Sequence, residues 1–299
     1  MKNIDAFSGY NPVVNFTFYM GAVVFGVVFV HPVFLICSFT MSLLHYFILK
    51  GSRAVKFLLG MVPVFILVSA VNPIFNTRGS HVLFTCFGNR PYTLEALLYG
   101  MAVAAMFISI LLWFASYSLI ITSDKFIYIF GNFIPHISLI LVMSMRLVTR
   151  LKIQAVRIFS ARKNSGRNSE NSCDVKFKIR EALITVSALT SWALEQGVVT
   201  SDSMQSRGYG SGKRTDFSIF SFSKRDKILL TVFIVLLTIM IVFTALGGAE
   251  ASYTPEIHFS GNENIYFFPC IISYFIFLFM PSALDIAEDL KWHVLKSKI

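Results

Sequence analysis

Residues 202–210 of this chain read DSMQSRGYG, and residues 213–215 read KRT. This polar, basic run with several glycines lies within a block at 146–227 that has strongly apolar sequence on both sides. The chain has a large basic region in mid-chain and no evident catalytic residues in its apolar segments. This combination is typical of a membrane subunit on which a partner protein exerts force.

The composition predicts an integral membrane protein. Of 299 residues, 55% are hydrophobic and 14% are charged, and the mean hydropathy is +0.67. Soluble domains carry about 25% charged residues. The four cysteines are scattered, so no disulfide framework or metal-ligand spacing emerges, and we expect neither a cofactor nor a metal. The N-terminal segment is expected to be uncleaved.

The net charge of +10 is concentrated in one block. Residues 146–227 contain 16 lysines and arginines against 7 aspartates and glutamates, which is nearly the whole excess. By the positive-inside rule, this block is expected to face the cytoplasm. Lys50, Arg53 and Lys56 mark a second, short cytoplasmic loop.

Apolar runs of about 20 residues, the length that a bilayer needs, predict about six transmembrane helices. They are expected near 13–30, 32–49, 57–75, 96–121, 228–247 and 265–284. A tight turn is expected at His31-Pro32, because proline cannot continue a helix and restrains the residue before it. An apolar stretch at 126–145 would make an odd number of crossings between the two cytoplasmic loops. It is broken by Gly131 and Pro135, so we expect a kinked or interfacial helix there.

These runs predict an all-α protein with three regions and with both termini in the cytoplasm. Residues 1–145 form the N-terminal transmembrane region, 146–227 a cytoplasmic coupling-helix domain, and 228–299 a C-terminal transmembrane hairpin with a cytoplasmic tail.

Ionisable groups are absent from mid-membrane positions in the predicted spans. Four acidic residues lie instead at segment ends, namely Glu95, Asp124, Glu250 and Asp285. Ion-coupled carriers and intramembrane enzymes usually place such groups at mid-depth. The histidines His31, His45 and His136 are more typical of packing residues than of ligands.

Two helical arms are expected in the basic block. The first runs from about 144 to 162 and ends at Ala161-Arg162-Lys163. Its expected apolar face consists of Leu147, Leu151, Ala155 and Ile158. The second starts near Lys178, loosens at Gly197 and ends at Ser206-Arg207-Gly208, because glycine commonly follows a helix end. Its expected apolar face consists of Ile179, Leu183, Val186, Leu189 and Trp192.

Each arm therefore ends with an arginine, which has more than one interpretation. Arg162 and Arg207 could cap helices on a solvated basic face, or the basic block could bind acidic lipid headgroups. A phosphate-binding loop at Gly212-Lys213-Arg214 is excluded, because Arg207 stands where the first glycine is required and Arg214 replaces the hydroxyl that holds magnesium.

The run at 202–210, with Arg214-Thr215 after it, resembles the second signature of the transmembrane T component of energy-coupling factor (ECF) transporters. Three further stretches resemble the same family: residues 7–12 with His31-Pro32, residues 72–79, and residues 93–100. The resemblance covers nearly the full length.

The resemblance implies which residues contact the partners. Two short motifs at the ends of cytoplasmic helices dock into grooves on two ATPase subunits, and here they are Ala161-Arg162-Lys163 and Ser206-Arg207-Gly208. Supporting residues are Asp202, Met204, Tyr209 and Gly210. The chain departs from the family pattern at Ser206, Lys163 and Thr149, where relatives more usually have alanine, glycine and proline.

The resemblance also implies the function. The chain would be a non-catalytic scaffold in the plasma membrane of a prokaryote, coupling two ABC-type ATPase subunits to a membrane-embedded S component that binds a vitamin or a transition-metal ion. No nucleic-acid partner is expected. A secondary transporter, an intramembrane enzyme and a lipid-binding membrane structural protein stay open as alternatives.

Overall fold

The computed structural model describes residues 6–76, 82–86, 90–131, 135–165, 175–212, 220–249, 251–253, 258–259 and 265–296. Parts of the predicted motifs and loops, at 77–79, 166–169 and 213–215, lie outside the described residues, as does Glu250. The protein is an all-α integral membrane protein, which confirms the fold class predicted from its composition.

Helices dominate the described ranges. They are α1 (Pro12–Val28), α2 (Pro32–Lys50), α3 (Arg53–Phe75), α4 (Leu94–Ile120), α5 (Ser123–Gly131), α6 (Pro135–Asn164), α7 (Val175–Ser206), α8 (Lys224–Ala245) and α9 (Phe267–Lys296). Two short antiparallel hairpins pair β1 (Val82–Cys86) with β2 (Arg90–Thr93) and β3 (Ala251–Ser252) with β4 (His258–Phe259). The hairpins join membrane helices and do not change the fold class.

Six helices within the described ranges are long and apolar enough to cross a membrane: α2, α3, α4, α7, α8 and α9. The number agrees with the sequence prediction, but α7 is among these helices in place of α1. Helix α1 has 17 residues and is just shorter than the others. Helix α7, expected in the cytoplasm, qualifies through its apolar middle, although it begins with Lys176, Lys178 and Arg180.

Helix starts and ends follow the local sequence. His31 caps α2, since its Nδ1 accepts a hydrogen bond from the backbone N–H of Val33 at 3.3 Å, and Pro32 occupies the first helical position. This is the tight turn expected at His31-Pro32. Helix α9 continues twelve residues past the predicted end of its span and includes Asp285, so the predicted tail is helical to Lys296.

The chain divides into two compact units, which are described separately. The first comprises Met1–Phe126 and Phe220–Ile299. Its core is aromatic: Phe18 contacts Trp113 edge-on at 5.5 Å between ring centroids, and Phe29 lies 4.6 Å from Phe34. His45 is buried there and hydrogen-bonds the Tyr19 hydroxyl at 3.0 Å, which is a packing role.

Small residues allow close helix contact in this unit. A Cβ atom on Gly100 of α4 would lie 2.8 Å from the carbonyl oxygen of Ser69 and 3.0 Å from Asn72 Cβ, both on α3. Membrane helices commonly use small residues in this way, because the absence of a side chain lets two backbones approach. The α3–α4 contact therefore depends on glycine at position 100.

The second unit comprises Ile127–Ile219 and contains most of α5 together with α6 and α7. The predicted interruption of 126–145 falls between α5, which ends at Gly131, and α6, which begins at Pro135. Helix α5 has nine residues. That 126–145 does not cross the membrane remains a prediction.

Candidate functional site

The first predicted motif lies in the last turn of α6. The helix begins at Pro135, before the expected start of the arm, and continues two residues beyond Arg162 to Asn164. The Ser165 backbone N–H and hydroxyl both donate to the Ala161 carbonyl oxygen, at 3.1 and 3.0 Å. With lysine at 163 instead of glycine, the helix has no left-handed residue to end it there.

The side chain of Arg162 forms an ion pair with Glu181 of α7. Its Nε donates to Glu181 Oε2 at 2.8 Å, and one terminal guanidinium nitrogen lies 2.6 Å from the same oxygen. Both side chains are partly shielded from solvent, with 22% and 12% of their surface exposed. The end of α6 is thereby joined to the second turn of α7. No local sequence pattern indicates Glu181 as the partner of Arg162.

Helix α7 is continuous from Val175 to Ser206, so the expectation that the second arm loosens at Gly197 is wrong. The Thr200 hydroxyl donates to the Gln196 carbonyl oxygen at 2.6 Å, across the glycine. Glycine in a helix costs only about 0.5–1 kcal/mol relative to alanine, which is too little to interrupt a helix of this length.

The second predicted motif forms the end of α7, as expected. The Tyr209 N–H donates to the Met204 carbonyl oxygen at 3.0 Å, and the Gly208 N–H donates to that of Gln205 at 2.9 Å. This pair of bonds is a Schellman motif, in which the residue after the cap is left-handed. Gly208 has φ of +82°, which an L side chain rarely adopts, and Arg207 is the capping residue.

The Schellman motif leaves the Arg207 side chain exposed. Ser206 and Tyr209 beside it are also exposed, and Gly210 has a second left-handed conformation, with φ of +90°. Within the described part of the chain, Arg207 has no ion pair. Its guanidinium, with five N–H donors and a permanent charge, is available to an external acceptor.

The remaining predicted residues lie on the same surfaces. Ala161 and Lys163 are exposed beside Arg162, while Asp202 is exposed and Met204 partly buried in the last turns of α7. In the first motif, the arginine is therefore engaged in an internal ion pair while its neighbours are exposed. In the second motif, the arginine itself is exposed.

The apolar faces of the two arms differ in burial. On α6 the expected face is partly buried along its length, as predicted. On α7, Leu189 and Trp192 are partly buried, but Ile179, Leu183 and Val186 are 55–64% exposed. Phe177, Glu181 and Ile184 lie on the more buried side instead. The exposed residues form an apolar stripe, called here the α7 stripe, of Val175, Ile179, Leu183 and Val186.

The two motifs are far apart. Arg162 contacts Glu181, and α7 continues from Glu181 to Ser206, which precedes Arg207. Those 26 residues rise about 39 Å at 1.5 Å per residue. The two arginines therefore cannot contact one small ligand, and each would need a separate acceptor.

Metal ligation is not supported in the described ranges, where no three His, Cys, Asp or Glu side chains converge. His31 and His45 have the structural roles given above, and the side chain of His136 lies outside the described residues. Lys213 and Arg214 of the excluded phosphate loop also lie outside them.

Comparison with known proteins finds similarity to a transporter subunit. The chain is 31% identical over 111 residues to the energy-coupling factor transporter transmembrane protein EcfT of Lactobacillus helveticus (strain DPC 4571). The match spans 37% of this chain and 40% of that relative, which is less than half the relative's length. No family model matches. The relative's name supports the resemblance to a T component that the sequence motifs indicate.

Proposed function

We propose that this chain is the transmembrane T component of an ECF-type importer. In this role it transmits the motions of two ATPase subunits, through α6 and α7, to a membrane-embedded S component that binds a vitamin or a transition-metal ion. The observation that carries the proposal is the pair of arginine-bearing helix ends, which are separated by the length of α7. The similarity to EcfT agrees with it.

Two separated arginines suit two partner subunits. Each guanidinium can pair with carboxylates and backbone carbonyls in a groove, and it keeps its charge at any physiological pH. A separation of about 39 Å along α7 exceeds the reach of one side-chain pocket, so each motif engages its own subunit. This arrangement agrees with a scaffold that links two ATPases.

The two motifs have different parts in this mechanism. Arg207 is exposed on a hydrogen-bonded helix cap, between the small residues Ser206 and Gly208. In this mechanism it inserts directly into a groove on an ATPase subunit. Arg162 is held by Glu181, so it fixes the end of α6 against α7 and presents Ala161 and Lys163. Docking at the first motif either keeps this ion pair or exchanges Glu181 for an acceptor on the ATPase.

The charge distribution agrees with docking in the cytoplasm, where ATP is available. The excess of lysine and arginine in 146–227 favours the cytoplasmic side. In this proposal α7 lies outside the bilayer despite its apolar middle, and the α7 stripe contacts a protein partner. Exposed apolar surface of this kind usually marks an interaction site.

The buried charged groups of the first unit agree with a scaffold rather than a carrier. Asp226 lies in the first turn of α8, and Asp285 lies within α9, just past the predicted end of its membrane span. Each accepts a hydrogen bond from a backbone N–H of the N-terminal segment. They therefore have structural partners. In this mechanism the ATPases supply the energy and the S component recognises the cargo, and this chain connects the two mechanically.

Copurification tests the proposal. Affinity purification of the full chain from its native membrane in mild detergent should yield two ABC-type ATPase subunits and a small membrane protein in stoichiometric amounts. Recovery of the chain without ATPases, together with tight binding of a substrate by the chain alone, would contradict the coupling role. If the small membrane protein copurifies, its identity would indicate the transported substrate.

A further inference from the structure

Residues 7–11, called here the N-terminal clasp, begin with the 3₁₀ turn Phe7–Gly9. Asn11 ends the clasp and caps α1, since its Oδ1 accepts a hydrogen bond from the Val13 N–H at 3.0 Å. The first N–H groups of a helical turn have no partner inside the turn. The clasp therefore presents backbone donors to the surrounding helices.

Two carboxylates accept hydrogen bonds from these backbone N–H groups. The Phe7 N–H donates to Asp285 Oδ1 of α9 at 2.9 Å, and the Asn11 N–H donates to Asp226 Oδ1 of α8 at 3.2 Å. Both carboxylates are buried, with 4% and 6% of their surface exposed. The other oxygen of Asp226 accepts from the N–H and hydroxyl of Ser223, at 2.8 and 2.7 Å.

A lysine ties the clasp to α5. Lys125 Nζ donates to the Ser8 carbonyl oxygen at 2.6 Å and contacts the Ser8 hydroxyl at 3.1 Å. Only 7% of the Lys125 surface is exposed, and this burial lowers the pKa of its ammonium group. A buried charge is costly unless polar groups surround it, so the contact with Ser8 holds α5 at a fixed place on the clasp.

The positions of these residues along the chain give the clasp a special place. Lys125 is the last charged residue before the second unit, which spans Ile127–Ile219, and Asp226 follows that unit closely. The same five residues therefore hold the chain where it leaves the first unit and where it returns to it. Phe7 anchors the clasp, because its side chain is fully buried and contacts Phe18 at 5.5 Å between ring centroids.

We propose that the N-terminal clasp is a positioning element for the coupling arms. It fixes the start of α5 and the start of α8 relative to each other, so that displacement of the second unit moves both attachment points together instead of one alone. Lys125, Asp226 and Asp285 are its positioning residues. The clasp contacts lie within the chain itself. Only the functional reason for moving both attachment points together rests on the proposed coupling function.

The distance between two spin labels, one at the start of α5 and one at the start of α8, tests the clasp. Cysteines introduced at Ser123 and Lys224, both exposed, in a background without the four native cysteines, would carry the labels. The purified chain should give one narrow distance distribution. Lys125→Met removes the ammonium and keeps much of the side-chain volume, and it should broaden that distribution. The matched control is Lys56→Met, at an exposed lysine on α3.

The complex provides the second readout. When ATPase subunits copurified with the labelled chain are trapped with ATP and vanadate, the distance should shift as a single population. In Lys125→Met it should divide into several populations, although the ATPases remain bound. A purely structural role would lower expression or thermal stability and leave these distributions unchanged. Size-exclusion profiles check folding, and Asp285→Asn is a milder second variant for use if Lys125→Met does not fold.

The possible outcomes separate the two proposals. Distributions in Lys125→Met and Asp285→Asn that match the Lys56→Met control would overturn the clasp, whatever the ATPases do. Failure of the wild-type chain to copurify with ATPases would overturn the coupling function, while the label distances on the isolated chain would still decide the clasp.

Discussion

The Arg162 guanidinium and the Glu181 carboxylate form an ion pair that joins the last turn of α6 to the second turn of α7. The pair connects one predicted docking motif to the helix that carries the other. It therefore sets the position of both motifs within the second unit.

Removing the charge of Glu181 tests this connection. Glu181→Gln should weaken the contact between α6 and α7 by roughly 0.5–1.5 kcal/mol, because a partly shielded pair lies between exposed pairs and buried ones in strength. Hydrogen exchange of the isolated chain should then be faster near Arg162 and in the first turns of α7. Glu195→Gln, at an exposed site on the same helix, is the control. Equal exchange in the two variants would show that the ion pair does not hold the arms.

The left-handed conformation at Gly208 makes a second prediction. Gly208→Ala should destabilise the end of α7 by about 1–2 kcal/mol, because an L residue is strained at positive φ. Binding of the ATPase at the second motif should weaken with it, since Arg207 would lose its fixed position. Gly197→Ala is the control within the same helix, where a Cβ atom meets no neighbour and the change should stabilise α7. Titration of purified ATPase against each variant measures the difference, and equal affinities would exclude a role for the cap.

Close contact between α3 and α4 gives a third prediction. Gly100→Ala should lower the stability of the detergent-solubilised chain by about 1–3 kcal/mol, because its Cβ atom would overlap the Ser69 carbonyl oxygen. Gly60→Ala, in α3 with no neighbour within 4 Å, should be neutral or stabilising. Thermal unfolding followed by size-exclusion chromatography compares the two. A melting temperature for Gly100→Ala equal to that of Gly60→Ala would mean that α3 and α4 are not in close contact.

Membrane topology is the fourth prediction. Helix α5 has nine residues and rises about 14 Å, less than half of a hydrocarbon core of about 30 Å. Single cysteines at Ser123 and Ser144, both exposed, should therefore be labelled from the cytoplasmic side by a membrane-impermeant reagent. Labelling of the two positions from opposite sides of the membrane would mean that 126–145 crosses.

Local sequence was enough to predict the features that depend on nearby residues. The turn at His31-Pro32 and the end of α7 at Ser206 follow from proline and glycine, whose backbone preferences act within a few residues. The apolar face of α6 followed from helical spacing. For the same reason, the long apolar runs predicted five of the six helices that are long and apolar enough to span within the described ranges, but not α7.

Features set by contacts between distant residues were not predicted. Glu181 became the partner of Arg162 through the packing of α6 on α7, which also determined the exposed side of α7. Asp285 pairs with Phe7 across 278 positions of the chain, and no local pattern indicates such a pair. Gly197 does not interrupt α7, because the cost of one glycine is small compared with the hydrogen bonds and packing of the whole helix.

Transport by the double variant tests the central claim most directly. The complex copurified with this chain would be reconstituted in lipid vesicles, and ATP-driven uptake of the substrate bound by its S component would be measured. Arg162→Ala and Arg207→Ala should each reduce uptake, and the double variant should reduce it far more, because each change removes charge-assisted hydrogen bonds of about 1.5–3 kcal/mol. Arg180→Ala, at an exposed arginine of α7, should transport normally. Uptake by the double variant at the wild-type rate, with normal expression, would contradict the coupling role.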